Sequence, residues 1–154
     1  MGISVNSRIS GCNPSNPETV STSPPKVMVN GDTIFTVVGD VQILNLVSEC
    51  ITDNNGTAST LQYSATPTIG TTTTISGTSS SLASIAAGCV ITLAGDAFTT
   101  APVVSTSGVA LSQTARGIYV PSGVITIVIG TGSTTGTWRH YLRYFPLEDG
   151  AYVY

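Results

Sequence analysis

The sequence predicts an all-β fold: a single antiparallel β-sandwich or barrel-like domain with an extended N-terminal arm. Apolar and polar residues alternate with a period of two or form short apolar runs, and helical periodicity is almost absent. Turn signals recur at intervals of roughly 8 to 12 residues, which is typical of sandwiches and barrels. At 154 residues the chain is the size of one such domain.

Residues 1–25 are predicted to form the arm, and residues 26–154 the β-sandwich domain. The arm is rich in Ser and Asn and holds four prolines, which disfavour regular strands and helices because proline lacks an amide donor. Two interpretations stay open. The arm is disordered, as many termini are, or its alternating apolar residues add to the edge of a neighbouring sheet. The candidate interface residues in the arm are Ile3, Val5, Arg8 and Ile9.

The first half of the domain is predicted to form long strands. KVMV (26–29) leads into a turn at 30–32, and a long segment (33–52) runs through Gly39 to a turn at 53–56. Because that turn contains Asn-Gly, a strong hairpin signal, residues 57–66 are expected to return beside the long segment. Residues 80–88 are expected to form one helical turn stopped by Gly88.

The second half contains shorter strand-sized runs and a closing strand. The run GVITIVIG (123–130) is uninterrupted and rich in β-branched residues, so we expect a central strand covered on both faces. Exposed, such a strand would promote aggregation. The other predicted strands are CVITLAG (89–95), RGIYVP (116–121) and the closing strand that begins at Thr137.

The charge composition excludes some partners. Charged residues make up 8% of the chain, the net charge is −3, and the basic residues do not cluster, so no nucleic-acid partner is expected. No apolar run approaches the roughly 18 residues of a membrane helix, and the N-terminus lacks the pattern of a secretory signal, so no membrane partner is expected either. A surface with so few charges favours association, and we expect much of it to be covered in use.

The closing strand holds the only Trp and the only His of the chain. Strand alternation places Trp138, His140, Leu142 and Tyr144 on one face, and Arg139, Tyr141, Arg143 and Phe145 on the other. His140 is expected to be a core residue that donates to a backbone carbonyl. The candidate interface residues on the second face are Arg139, Tyr141 and Arg143, because guanidinium groups hold carboxylates or carbonyls of another chain. The alternative is a solvated outer face.

No motif predicts catalysis, a cofactor or a metal site. His140 has no nucleophile frame near it in sequence, and the carboxylates are scattered mostly at turns, where they usually bond their own backbone. The three cysteines are widely spaced, so we expect them to be reduced apolar fillers in a cytosol. They are Cys12, Cys50 and Cys89. We therefore expect a protein that is not an enzyme.

A resemblance to a known class is carried by a paired long hairpin, a Pro-Thr-x-Gly-Thr turn, and a closing Trp strand followed by x-P-L-x-D-G-A. The segments are TIFTVVGDVQILNLVSECIT, ATPTIGTTTTI and GVITIVIGTGSTTGTWRHYLRYFPLEDGAYV. Together they resemble small β-rich virion proteins of tailed bacteriophages, of the capsid decoration or cement class. The likeness covers roughly Lys26 to the end of the chain.

This resemblance implies a non-enzymatic protein on the outer capsid surface that is assembled in the bacterial host cytoplasm. It implies that the chain bridges major capsid protein subunits and associates with itself as a dimer or, preferably, a trimer. The alternative is a receptor- or carbohydrate-binding β-module of a tail fibre, in which exposed aromatic side chains form a sugar platform. Its candidate residues are Tyr119, Trp138, Tyr141 and Tyr144.

Overall fold

The structure, a computed structural model, describes residues 18–94, 97–107, 117–132 and 134–154. The protein is all-β, and no helix occurs within these ranges. The strands are β1 (Thr19–Thr22), β2 (Lys26–Val27), β3 (Thr33–Val38), β4 (Val41–Cys50), β5 (Thr60–Pro67), β6 (Thr73–Thr74), β7 (Val90–Thr92), β8 (Val103–Ser105), β9 (Ile118–Val120), β10 (Gly123–Gly130), β11 (Thr137–Pro146) and β12 (Tyr152–Val153).

The strands form two antiparallel sheets in a sandwich-like arrangement, as the sequence predicts. Sheet I has seven strands, in the order β1-β11-β4-β7-β8, with β2 beside β11 and β9 beside β4. Sheet II has five strands, in the order β12-β3-β10-β5-β6. The longest pairings join β4 to β11 and β5 to β10.

The core lies between the sheets and is built from alternate residues of the long strands. On β10 these are Ile125, Ile127 and Ile129, which are 0%, 0% and 8% exposed. Burial of such side chains is worth about 1.5–3 kcal/mol each, and it is the main source of stability in a sandwich. The largest fully buried side chains include Trp138, Tyr63, Phe35, Met28, Ile43, Leu46 and Leu61.

The hairpin predicted at turn 53–56 is wrong, because β4 and β5 belong to different sheets. Here the chain passes from sheet I to sheet II, and hydrogen bonds of the buried Asn54 stabilise this crossing. Its side-chain Nδ2 donates to the carbonyl of Leu82 at 2.8 Å, and its Oδ1 accepts from the amides of Thr135 and Gly136 at 3.0 and 3.1 Å. These bonds satisfy loop backbone groups that a ladder would otherwise pair.

Two further local predictions are also wrong. The segment 33–52 is not one strand, because Gly39 adopts a φ of +75° and turns the chain from sheet II into sheet I. Residues 80–88 form turns rather than a helical turn, since their backbone bonds to the crossing segment. The amide of Leu82 donates to the carbonyl of Ser59, and the carbonyl of Ile85 accepts from the amide of Asn54.

Strand β10 is central in sheet II, with β3 and β5 on either side, as predicted. The prediction that both faces of β10 are covered is wrong for the single chain. One face lies in the core, whereas Val124 and Thr126 on the other face are half-buried and Val128 is 37% exposed.

Strand β1 lies inside the range predicted as the arm, and it pairs with β11 from Thr19 opposite Tyr144 to Thr22 opposite Tyr141. The Oγ of Ser21 also donates to the carbonyl of Val153 at 2.6 Å, which links the edges of the two sheets. Residues 1–17 lie outside the described residues, so the division into arm and domain stays a prediction.

Candidate functional site

The closing strand β11 alternates as the sequence predicts. Its inward residues Trp138, His140 and Leu142 are fully buried and Tyr144 is 3% exposed, while residues 139, 141 and 143 are half-buried on the outer face. Pairing with β4 on one side and β1 on the other holds the strand in place. Strand β11 therefore has a core face and an outer face.

His140 is a core residue, but its side-chain partner is a hydroxyl rather than the expected backbone carbonyl. The Nδ1 atom lies 2.7 Å from Ser48 Oγ, which in turn lies 2.7 Å from the hydroxyl of Tyr63. Burial lowers the pKa of His140 from 6.5 to about 4, with a smaller contribution from the positive charge of Lys26 and an opposing one from Asp32. The ring is therefore neutral at pH 7.

The hydrogen-bonded set Ser48, Tyr63 and His140 resembles an activated hydroxyl, but it is closed to substrates. All three residues are 0% exposed, and Ser48 Oγ already contacts both other side chains. Burial also raises the pKa of Tyr63 above its ordinary value. A nucleophile must reach a reacting atom; this set can only brace β4, β5 and β11 against one another.

The outer face of β11 carries the predicted arginines, and both have acidic neighbours within the chain. Arg139 Nη1 donates to the hydroxyl of Tyr141 at 3.4 Å, and that hydroxyl donates to Glu49 Oε2 at 2.7 Å. Arg143 Nε lies 3.0 Å from Glu18 Oε1. The guanidinium groups are thus partly engaged, and whether they bind another chain stays a prediction. The candidate arm residues Ile3, Val5, Arg8 and Ile9 lie outside the described residues.

The outer face of sheet II has no charge, and sequence reasoning did not single it out. None of the five strands of this sheet contains Asp, Glu, Lys or Arg. Cross-strand neighbours on the face are apolar or uncharged polar residues, for example Thr36, Val124 and Thr66 side by side, and Gln62 opposite Val128. At its edge Tyr152 and Tyr154 stack with ring centroids 5.8 Å apart and are 49% and 65% exposed. The sequence could have indicated this uncharged face, because residues 57–95 and 117–138 contain no charged residue.

The four aromatic residues considered for a sugar platform do not form one. Trp138 is 0% and Tyr144 is 3% exposed. Tyr119 is exposed and donates to Asp40 Oδ2 at 2.6 Å, but it lies opposite Gln42, well along β4 from Tyr141. A sugar platform needs accessible rings close together, and these are separated.

Neither a metal site nor a membrane helix appears in the part of the chain that the structure describes. No three His, Cys, Asp or Glu side chains there are grouped to hold an ion. No helix there has the length and apolar character needed to cross a bilayer. Cys50 and Cys89 are buried free thiols, and burial raises the pKa of Cys50 to about 11, which keeps it protonated. Cys12 lies outside the described residues.

No protein-family model and no curated protein matches this chain. Two solved structures of infectious bursal disease virus show a likeness. The Gx strain structure has 14% identity over 90% of this chain and 36% of that chain, with a TM-score of 0.25. The Gt strain structure has 12% identity over 84% and 39%, with a TM-score of 0.20. This chain thus spans under two fifths of either matched chain, and at such TM-scores the likeness carries no argument about fold or function.

Proposed function

We propose that this chain is a non-enzymatic virion structural protein of a tailed bacteriophage, which binds the outer capsid surface and bridges major capsid protein subunits. The observation that carries the proposal is the uncharged outer face of sheet II, which a free monomer would leave open to water. The resemblance of residues 26–154 to decoration proteins supplies the class of partner.

The uncharged face favours a covered state. Soluble monomers usually carry interspersed charges that oppose association, whereas the charged strand residues here all belong to sheet I. Val128 and the Tyr152–Tyr154 pair add accessible apolar surface to the face of sheet II. These side chains lie at opposite ends of the sheet, so the absence of charge, rather than one apolar patch, is what favours a covered state.

Stabilisation of a capsid needs no chemistry beyond binding. A protein that binds only the assembled lattice stabilises it by RT ln(1 + [L]/Kd), or about 2.7 kcal/mol at a free concentration 100 times Kd. Linked copies add avidity without new contacts. The closed Ser48–Tyr63–His140 set supports the non-enzymatic part of the proposal, because its hydroxyl–imidazole pair is inaccessible.

Immunogold labelling of particles made by cells that carry the gene tests the proposal. An antibody raised against the purified chain should decorate the heads of intact phage particles. Label confined to tail fibres would support the receptor-binding alternative, and unlabelled particles in a preparation that contains the chain would refute a virion role.

Two variants then identify the face that contacts the capsid. Val128→Lys places a charge on sheet II at an exposed position where a long side chain can reach water, and we expect at least a tenfold loss of head occupancy. The double variant Arg139→Ala/Arg143→Ala tests the arginine face, and weaker occupancy would support the sequence-based prediction of contact there. Occupancy unchanged in the Val128 variant would remove sheet II as the contact face.

A further inference from the structure

A small apolar cavity, the side groove, opens at the edge of the sandwich between β6 of sheet II and β9 of sheet I. Its volume is about 160 Å³. The buried side chains of Ala65, Ile75 and Val120 line it, and Phe98 and Tyr119, which are 50% and 60% exposed, stand beside them. None of the ten described residues that line the side groove is charged.

Immediately beside the side groove, turn 67–70 presents the most exposed large apolar side chain among the described residues. Ile69 is 92% exposed, and its neighbours Pro67 and Thr71 are themselves groove residues. When a partner covers an aliphatic side chain that is so exposed, burial stabilises the complex by roughly 1.5–3 kcal/mol if it is complete.

The turn that carries Ile69 is anchored. The amide of Thr68 donates to the carbonyl of Ser122 at 2.7 Å, and the hydroxyls of Thr66 and Thr72 lie 2.9 Å apart across the base of the turn. Gly70 has a φ of +142°, which side chains rarely adopt. The turn therefore holds Ile69 in an outward position before any partner binds. Association then avoids the entropic cost of ordering a flexible loop.

We propose that two copies of this chain associate about a two-fold axis, with Ile69 of each copy inserted into the side groove of the other. Because turn and groove are adjacent on one surface, a two-fold axis between them makes both contacts at once and closes the assembly at a dimer, not at the trimer that the resemblance favours. A contact between distant patches would instead lead to open chains or larger rings.

Size and charge favour a second copy over other occupants. A drug-sized ligand needs a pocket of roughly 300–1,000 Å³, and the side groove is smaller, about 160 Å³, which suits one branched aliphatic side chain. Residues 57–95, which include turn 67–70 and β6, contain no charged residue, so the two surfaces meet without burying an unpaired charge. The nearby carboxylate of Asp40 accepts a hydrogen bond from the hydroxyl of Tyr119.

The dimer goes beyond the proposed function, because it forms in free protein whether or not the chain binds a capsid. Sedimentation equilibrium of the purified full chain over a range of concentrations measures it directly. We expect a monomer–dimer equilibrium in which Ile69→Asp raises the dissociation constant roughly 100-fold or more, since two buried side chains are lost per dimer. Circular dichroism should stay unchanged, because the side chain lies outside the core.

A matched control and a rescue sharpen the test. Val20→Asp adds the same charge at a residue that is 60% exposed on β1, at the other edge of sheet I, and should leave the dissociation constant unchanged. Thr73→Tyr fills the groove from an exposed position and should raise the dissociation constant to a similar extent as Ile69→Asp. A mixture of the Ile69→Asp and Thr73→Tyr variants should regain partial association, because one of the two contacts is intact in the mixed dimer.

Several results would overturn the proposal. They are a native chain that stays monomeric at all concentrations, an Ile69→Asp variant that associates as the native chain does, and association that Val20→Asp destroys while Ile69→Asp leaves it intact. A trimer that survives Ile69→Asp would likewise assign self-association to another surface.

Discussion

Acidification should destabilise this protein through its single histidine. In the folded state burial lowers the pKa of His140 to about 4, against an ordinary value of 6.5. The unfolded chain therefore binds a proton between these pH values that the folded chain does not. Stability from this residue is complete above about pH 6.5, is lost as the pH falls, and shows no further change below about pH 4.

The size of the effect follows from the pKa difference. Each pKa unit corresponds to about 1.4 kcal/mol, so a fall from 6.5 to about 4 removes about 3 kcal/mol from the free energy of unfolding. This is a large fraction of the 5–15 kcal/mol that a typical domain has. A proton on the ring would also meet the nearby positive charge of Lys26.

Urea unfolding at a series of pH values, for the native chain and for His140→Asn, measures the effect. The asparagine variant keeps a polar group toward Ser48 but cannot be protonated, so its stability should fall by about 3 kcal/mol less than that of the native chain between pH 7 and pH 4. Carboxylate contributions are common to both proteins and cancel in the comparison. An equal loss in both proteins, or an imidazole that titrates near pH 6.5 by NMR, would refute the reasoning.

Three further predictions concern residues that hold the sandwich together. Ser48→Ala should lower the free energy of unfolding by about 2–3 kcal/mol because it leaves two buried partners unpaired, whereas Tyr63→Phe should cost only about 1 kcal/mol; equal losses in urea unfolding would contradict the bridging role. Asn54→Ala removes three backbone contacts at the crossing and should cost about 3 kcal/mol and lower Tm, and an unchanged Tm would show that the crossing holds without it. Gly39→Ala should destabilise more than Gly31→Ala in thermal unfolding, because both glycines have positive φ but only at Gly39 would the new methyl group meet other atoms closer than 3 Å; similar losses would contradict the steric argument.

The local features of this protein could be predicted from its sequence. A strand has a side-chain period of two, so TWRHYLRYF alone places Trp138 inward and Arg139 outward, and the burial pattern of β11 confirms it. The same reasoning predicts β10 as a central strand from its β-branched run. Both features depend only on neighbouring residues.

Strand partners could not be predicted in this way. The turn at Asn55-Gly56 announces a change of direction but not which strands follow, and β4 pairs with β11 across a long stretch of sequence rather than with β5. Gly39 is similar, since a residue with positive φ fits a hairpin and a corner between sheets equally well.

The candidate sites likewise divide into features that the sequence predicts and features that depend on the tertiary structure. The sequence by itself determined that the protein is all-β, weakly charged and without a catalytic motif, because composition and period are properties of the chain. Only the tertiary structure decided that Ser48, Tyr63 and His140 meet in the core, that the charged strand residues all belong to sheet I, and that Ile69 stands beside a groove that could receive it. These arrangements join residues distant in sequence, and their positions are set by how the two sheets pack.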